Sequence, residues 1–364
     1  MDACSGRIGN LKRLRHRERA RRFELRNELF TRQKQIVIRR LVSAWLACVA
    51  IGGCKGVTDS GTGASEALYA ITVLPGFGGD TTVALDLNQS GDIVGWGTDA
   101  SGTRHAALWR NGAQLLELAS NGPAIATAIN DSGFVVGLGH DAATTEVCRR
   151  SVLWRNGNLE NLAGWTGCVP RFLPSVVKPE QINRLGTVRI GAVGLVRVGV
   201  WQSMWPPAWV NGINNFDALV GSADNGGYGY YQPYATGVTL QFPSAFPCSD
   251  PHVRGSADFI NDSGVIVGTV CGTLVRSSPT GGDIITRSGQ SVRGLNNHNA
   301  LLYQDSLTNS LTLVTGSHAA RIRLDDPAWQ LVSGPARLND AGVIIVQAMN
   351  TPTGRKGAIK LAPK

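Results

Sequence analysis

Nine aspartates, Asp86, Asp99, Asp131, Asp141, Asp224, Asp258, Asp262, Asp283 and Asp340, are scattered over sequences that read as turns and strand ends. Carboxylates are what glycan hydrolases are built from. A working pair must stand roughly 5 to 9.5 Å apart in a concave site. Dispersion along the chain does not exclude such a pair, because a fold with many loops can gather them on one face. No catalytic motif accompanies the acids: there is no Ser-x-Asp-x-Gly-x-Thr-Trp box, no Gly-x-Ser-x-Gly elbow and no His-Glu-x-x-His helix. His105, His140, His252, His298 and His318 show no ligand spacing and read as surface or strand residues. The Asn-Asp-x-Gly segments lack the alternating carboxylates of a calcium loop. No catalytic residue, metal or cofactor is therefore expected.

Binding chemistry has a stronger signal. Trp201, Trp205, Trp209, Phe216, Tyr228, Tyr230, Tyr231 and Tyr234 crowd one segment, with Pro206-Pro207 and Gly226-Gly227 between them. Aromatic rings on Gly- and Pro-bearing loops suit stacking on sugars or peptides. Trp201, Trp205, Tyr228, Tyr230 and Tyr231 are the candidate ligand contacts. Packing between repeats is the competing use, and Trp209 reads as a packing residue comparable to Trp109 and Trp154.

The elements that must position these groups are set by a recurring turn. Leu87-Asn88-Gln89-Ser90-Gly91-Asp92-Ile93-Val94-Gly95 returns as Ile129–Gly137, nearly unchanged as Ile260–Gly268, and again as Leu338–Ile345. Weaker copies start at Ile182-Asn183, Ile213-Asn214 and Leu295-Asn296. The asparagines at 88, 130, 183, 214, 261, 296 and 339 are 42, 53, 31, 47, 35 and 43 residues apart. A period near 40 with several short strands per unit predicts a β-propeller. Asn first and Gly fourth suit a type I turn closed by a left-handed residue. The weaker copies place Asp217 and Asn299 at the fourth position, the residues that tolerate positive φ next best after glycine. The apolar run after each turn suits a strand covered on both faces.

A second half-repeat follows. His105-Ala106-Ala107-Leu108-Trp109-Arg110-Asn111-Gly112 parallels Arg150-Ser151-Val152-Leu153-Trp154-Arg155-Asn156-Gly157, and each continues as a strand after its Asn-Gly hairpin. One repeat thus holds about four strands, the content of a propeller blade. The pattern A-x-x-[IL]-N-x-x-G-x-[IV]-V-G, followed by H-A-x-L-W-x-x-G, resembles the bacterial extracellular HAF repeat. Leu74-Pro75-Gly76-Phe77-Gly78-Gly79 is similar to that family's opening segment. The likeness covers residues 69–362. It is strong at copies one, two and five and thin at three, four and six. It implies an exported repeat protein with a propeller fold and no agreed activity.

The amino terminus reads as an address. Arg39-Arg40 precede an apolar run from Leu41 that ends in Ile51-Gly52-Gly53-Cys54. The run is too short to span a membrane and fits a secretory signal. Its end also resembles a bacterial lipobox, which implies lipid on Cys54; plain cleavage is the alternative. Lys55 after that Cys resembles the outer-membrane sorting pattern. Residues 54–68 form a small, polar tether. Residues 1–53 hold 13 Lys and Arg against 4 acids, out of 35 and 26 in the chain, so 22 of each sign remain in residues 54–364. The net charge of +9 therefore belongs to the removable segment and does not argue for nucleic-acid binding. An Arg-rich RNA-contacting helix over residues 7–34 is one reading of that segment. A start codon nearer Val37 is the other.

Cys148, Cys168, Cys248 and Cys271 are an even set in an exported domain and are expected as two disulfides. Three pairings exist. The hairpin turns favour Cys148–Cys168 and Cys248–Cys271. Residues 69–364 suffice for seven repeats of normal blade length. The expectation is an all-β, seven-bladed propeller of four-stranded antiparallel blades, monomeric and exported. Gly357–Leu361 should pair with Tyr69–Leu74 to close the last blade. A glycan- or peptide-binding module is the first functional reading, and a propeller hydrolase or lyase is the second.

Overall fold

The computed structural model describes residues 65–111, 114–118, 122–140, 149–162, 178–191, 194–197, 200–202, 208–223, 228–232, 240–242, 255–270, 273–278, 281–285 and 290–364. Cys54, the four cysteines expected as disulfides, Trp205, Asp141 and Asp224 lie outside the described residues. All regular structure described is β. The chain enters at β1 (Ser65–Val73). The first four-stranded sheet follows: β2 (Gly78–Leu87), β3 (Ile93–Asp99), β4 (Arg104–Arg110) and β5 (Gln114–Glu117). The second is β6 (Ile125–Ile129), β7 (Val135–His140), β8 (Arg149–Arg155) and β9 (Asn158–Asn161). The third is β10 (Pro179–Ile182), β11 (Thr187–Ile190), β12 (Gly194–Arg197) and β13 (Val200–Gln202). The fourth is β14 (Ala208–Ile213), β15 (Leu219–Ala223), β16 (Tyr228–Gln232) and β17 (Leu240–Phe242). The fifth is β18 (Gly255–Ile260), β19 (Ile266–Val270), β20 (Thr273–Ser278) and β21 (Gly281–Ile285).

The sixth sheet has eight strands. It holds β22 (Gln290–Leu295), β23 (Leu301–Asp305), β24 (Leu311–Thr315), β25 (His318–Leu324), β26 (Trp329–Leu338), β27 (Ile344–Asn350) and β28 (Lys356–Pro363), together with β1. β1 lies between β25 and β28. Its residues Tyr69 to Val73 run antiparallel to Pro363 through Ile359, and Ser65 to Tyr69 run parallel to Ala320 through Leu324. The expected pairing of the two chain ends is present, and it removes a free sheet edge. β1 begins at Ser65, so the strand takes in residues 65–68 of the stretch read as a tether.

The turn chemistry matches the sequence reading residue by residue. Gly91, Gly133, Gly186, Gly264 and Gly342 have positive φ, and so do Asp217 (59°) and Asn299 (63°). In each copy the fourth-position N–H donates to the asparagine carbonyl, at 3.0 to 3.2 Å. The strands after the turns are covered on both faces: Ile93, Val94, Val136, Ile344 and Ile345 are fully buried. The core lies between neighbouring sheets. One cluster joins Val94, Ala106 and Leu108 to Ala126, Val135 and Trp154; another joins Ile93 and Trp109 to Ile345 and Ala358. Burying such side chains contributes about 1.5–3 kcal/mol each before entropy is counted.

Candidate functional site: the axial pocket

The seven turn asparagines meet at the centre of the molecule, between 2% and 6% exposed. Each side-chain Oδ1 accepts the N–H four residues on, and that bond fixes the turn. Each Nδ2 then donates to the backbone carbonyl of the next asparagine. Asn88 donates to Asn130 (3.3 Å), Asn130 to Asn183 (3.0 Å), Asn183 to Asn214 (2.9 Å) and Asn214 to Asn261 (3.1 Å). Asn261 donates to Asn296 (3.0 Å), Asn296 to Asn339 (3.1 Å), and Asn339 back to Asn88 (3.2 Å). The ring is closed. Asn is the residue that can do this: its carbonyl caps its own turn while its amide reaches the neighbour. The sequence predicts the cap and not the ring.

A second, outer ring uses the next residue of each turn. The Gln89 N–H donates to Asp131, Arg184 to Asn215, Asn215 to Asp262, Asp262 to Asn297, Asn297 to Asp340, and Asp340 to Gln89. The step from Asp131 to Arg184 is missing, because a guanidinium has no acceptor atom.

The rings frame a cavity of about 480 Å³. Its wall is made by the innermost strands, six of which carry a β-bulge two to four residues before the asparagine; in β26 the irregularity lies further back, between Leu331 and Ala336. A bulge re-aims side chains, and the positions it affects hold Glu180, Asn211, Asp258, Asp86 and Gln181, while Arg337 joins the lining from the regular end of β26. Asp86, Asp131, Asp258, Asp262 and Asp340, scattered in sequence, all line this one pocket.

The polar groups inside are held in place. Arg189 reaches Glu180 (2.7 Å), Gln181 Oε1 (3.1 Å) and the carbonyls of Gly191 (3.0 Å) and Val210 (3.1 Å). Asn211 Nδ2 sits among Ser256 Oγ (2.9 Å), Ala257 O (3.2 Å) and Asp258 Oδ1 (3.4 Å), and the Ser256 hydroxyl donates to Asp258. Burial pushes the Asp86 carboxyl up to about 6, against the opposing charge of Arg337 and the N–H of Ile129, which it accepts at 3.0 Å. Burial also raises the Asp258 carboxyl, with the Ser256 hydroxyl pulling the other way. The pocket therefore holds, in Asp86, a carboxyl able to carry or to release a proton around pH 6.

The aromatic cluster is dispersed. Trp201 is on β13, and Tyr228, Tyr230 and Tyr231 are on β16. Trp209 corrects the sequence reading. It sits on the innermost strand β14 and is 56% exposed, whereas Trp109 and Trp154 are third-strand residues buried to 0% and 2%. A side chain in that register faces out of the sheet stack. Phe216 is on the turn after Asn214 and is 63% exposed.

Asp99 is elsewhere, in a charged chain on the first sheet. His105 Nε2 lies 3.0 Å from Asp99 and its Nδ1 lies 2.7 Å from Glu117. Both ring nitrogens face carboxylates, so the imidazole is held above its ordinary value. The Asp99 carboxyl is held well below the carboxylate range, chiefly by Ser101 and His105. Phe77 packs on the imidazole at 5.2 Å, and Trp109 Nε1 donates to Pro75 O at 2.8 Å. This cluster fastens the loop that leads from β1 into the first sheet.

The polar positions inside the bulged strands were open to sequence reading. Glu180, Asn211, Asp258 and Arg293 all stand three residues before a turn asparagine, where an inner strand should be apolar.

No family model matches the chain, and no curated protein matches it in sequence. Solved structures do. A virginiamycin B lyase from Staphylococcus aureus superposes with a TM-score of 0.53 at 11% identity, over 81% of this chain and 99% of that one. A streptogramin B lyase gives 0.50 at 11% identity, over 81% and 98%. YCF48 bound to a D1 peptide gives 0.49 at 12% identity, over 81% and 95%. At such identities the likeness to the two lyases speaks for the fold alone: the chain is a β-propeller.

Proposed function

We propose that this chain is an exported, seven-bladed propeller that binds a small polar ligand in its axial pocket. The count of seven is supported by the seven inner strands ending in the asparagine ring. It follows if the eight-stranded sheet is two blades, β22–β25 and β26–β28 with β1, joined through β1. The observation that carries the binding reading is the gathering of sequence-distant charged groups in one cavity of about 480 Å³. That volume lies in the range of ligand sites. Export rests on the signal-like segment and on the resemblance to the HAF repeat. Lipid attachment rests on the lipobox-like Cys54. Labelled palmitate entering the wild type but not Cys54→Ser would support the anchor, and labelling that persists would remove it.

Binding is tested by calorimetry against panels of neutral oligosaccharides and dipeptides. The wild type should bind a member of these panels, and Asp86→Asn should weaken it at least fivefold while the fold persists. Asn at 86 keeps an oxygen for the Ile129 N–H. Loss of binding in Trp205→Ala or Tyr230→Ala, with Asp86→Asn unchanged, would move the site to the aromatic segment.

A second reading is favoured by one observation, the two carboxyls of raised proton affinity, Asp86 and Asp258, in a common pocket. A glycan hydrolase or lyase needs such a group to hold a proton at working pH. Turnover of an oligosaccharide that is lost in both Asp86→Asn and Asp258→Asn would establish it.

A further inference from the structure

The mouth of the pocket is not uniform. The third residue of each turn follows the outer ring, just beyond the residues that line the pocket, and it is Ser90, Ser132, Ser263, His298 or Ala341 in five copies. In the two adjacent copies it is Leu185, 47% exposed, and Phe216, 63% exposed. They are neighbours, because the Arg184 N–H bonds Asn215 at 2.8 Å. Large apolar side chains left in water one residue from a cavity's lining mark a contact surface. They occupy the sector next to the missing step of the outer ring.

Charge around the same mouth is one-sided. The pocket lining holds six carboxylates, Asp86, Asp131, Glu180, Asp258, Asp262 and Asp340, against the guanidiniums of Arg189 and Arg337. Arg189 is taken by Glu180 and three further acceptors. Asp131, Asp262 and Asp340 accept hydrogen bonds from uncharged amides, which do not cancel their charge. Arg184 is the basic residue of the outer-ring sequence, at the copy after Asp131. A concave, low-dielectric wall of one sign focuses its field on the opposite charge.

We infer that the mouth takes a small organic cation bearing an apolar arm, with the cation among the rim carboxylates and the arm across Leu185 and Phe216. This rests on the axial-pocket reading and specifies its ligand class. An arylalkylammonium satisfies both halves. The ring lies on Phe216 and Leu185, and the positive head sits over the axis, where a neutral or anionic head would face uncompensated carboxylates.

Calorimetry with the purified full-length protein tests it. The probes are benzyltrimethylammonium, tetramethylammonium, 2-phenylethanol and 3-phenylpropionate. Benzyltrimethylammonium should bind roughly tenfold tighter than the alcohol or the carboxylate, and rising salt should weaken it. Phe216→Ala, at an exposed position, should lower that affinity about fivefold and leave tetramethylammonium unchanged. Asp131→Asn should lower both cations roughly two- to fivefold. Equal affinity for the aryl cation and the aryl alcohol overturns the inference, and so does indifference to both substitutions. If neutral oligosaccharides bind in an Asp86-dependent way and the aryl cation does not, the inference falls and the pocket reading stands. If no probe or panel member binds, both fall.

Discussion

The inner and outer rings of the axis sit one residue apart in every turn, yet they are built differently. The inner ring is Asn seven times over and closes completely. The outer ring is Gln89, Asp131, Arg184, Asn215, Asp262, Asn297 and Asp340, and it breaks once. The inner position has two tasks at once, capping its own turn and bridging to the next sheet, and only Asn performs both. The outer position needs only an acceptor, and one copy does without it. The inner ring is therefore frame, and the outer ring, with the pocket behind it, is where chemistry is free to vary.

The largest effect should come from opening the sheet that joins the two chain ends. Removing residues 355–364 deletes β28, frees β1 on one side and exposes Ile359 and Leu361, both fully buried. Circular dichroism should report loss of the cooperative fold. A truncated chain that still melts cooperatively would show that closure is not needed.

Breaking the inner ring at one point is next. Asn183→Ala strips the caps from the Leu185 and Thr187 amides and removes the donor to Asn214. The Thr187 amide and the Asn214 carbonyl are buried, so the loss should be about 2–4 kcal/mol in denaturant unfolding. A loss under about 1 kcal/mol would reduce the ring to ordinary turn chemistry.

Acidity separates the pocket from the frame, which contains no titratable group. Between its ordinary value and about 6, Asp86 binds more proton folded than unfolded. Stability on its account falls as pH rises through that window, by on the order of 2 kcal/mol. His105, held above its ordinary value, adds stability that is complete below about 6.5 and is lost as pH rises through its folded value. The thermal midpoint should fall between pH 5 and 8. Asp86→Asn should remove the acid part of the fall and His105→Ala the alkaline part.

The smallest effect is a repair. Arg184→Asn supplies the missing acceptor to the Asp131 N–H and should add about 0.5–1 kcal/mol. It also removes the basic group from the rim, so cation binding should tighten in the same variant.

Much of this was legible in the chain. The fourth-position substitutes Asp217 and Asn299 report a left-handed turn, and both adopt it. Gly357–Leu361 and Tyr69–Leu74 look like strands of one sheet, and they pair. The ring was not legible, because its bonds join residues 31 to 53 apart, and 251 apart at the closure, through an amide that the turn does not use. The pocket was half legible. Asp86 and Asp258 are visible as acids, but only the bulge aims Glu180 and Asn211 at the axis, and a bulge leaves no unique residue type behind. Trp209 looked like Trp109 and Trp154 in composition; its strand position, two places along the hairpin order, makes it exposed.

The most direct test compares neighbours in one turn. Asn214→Ala and Asn215→Ala remove the same side chain one residue apart, from the inner and the outer ring. Denaturant unfolding should show Asn214→Ala losing about 2–4 kcal/mol and Asn215→Ala no more than about 1 kcal/mol. Equal losses at the two positions would contradict the division between frame and site.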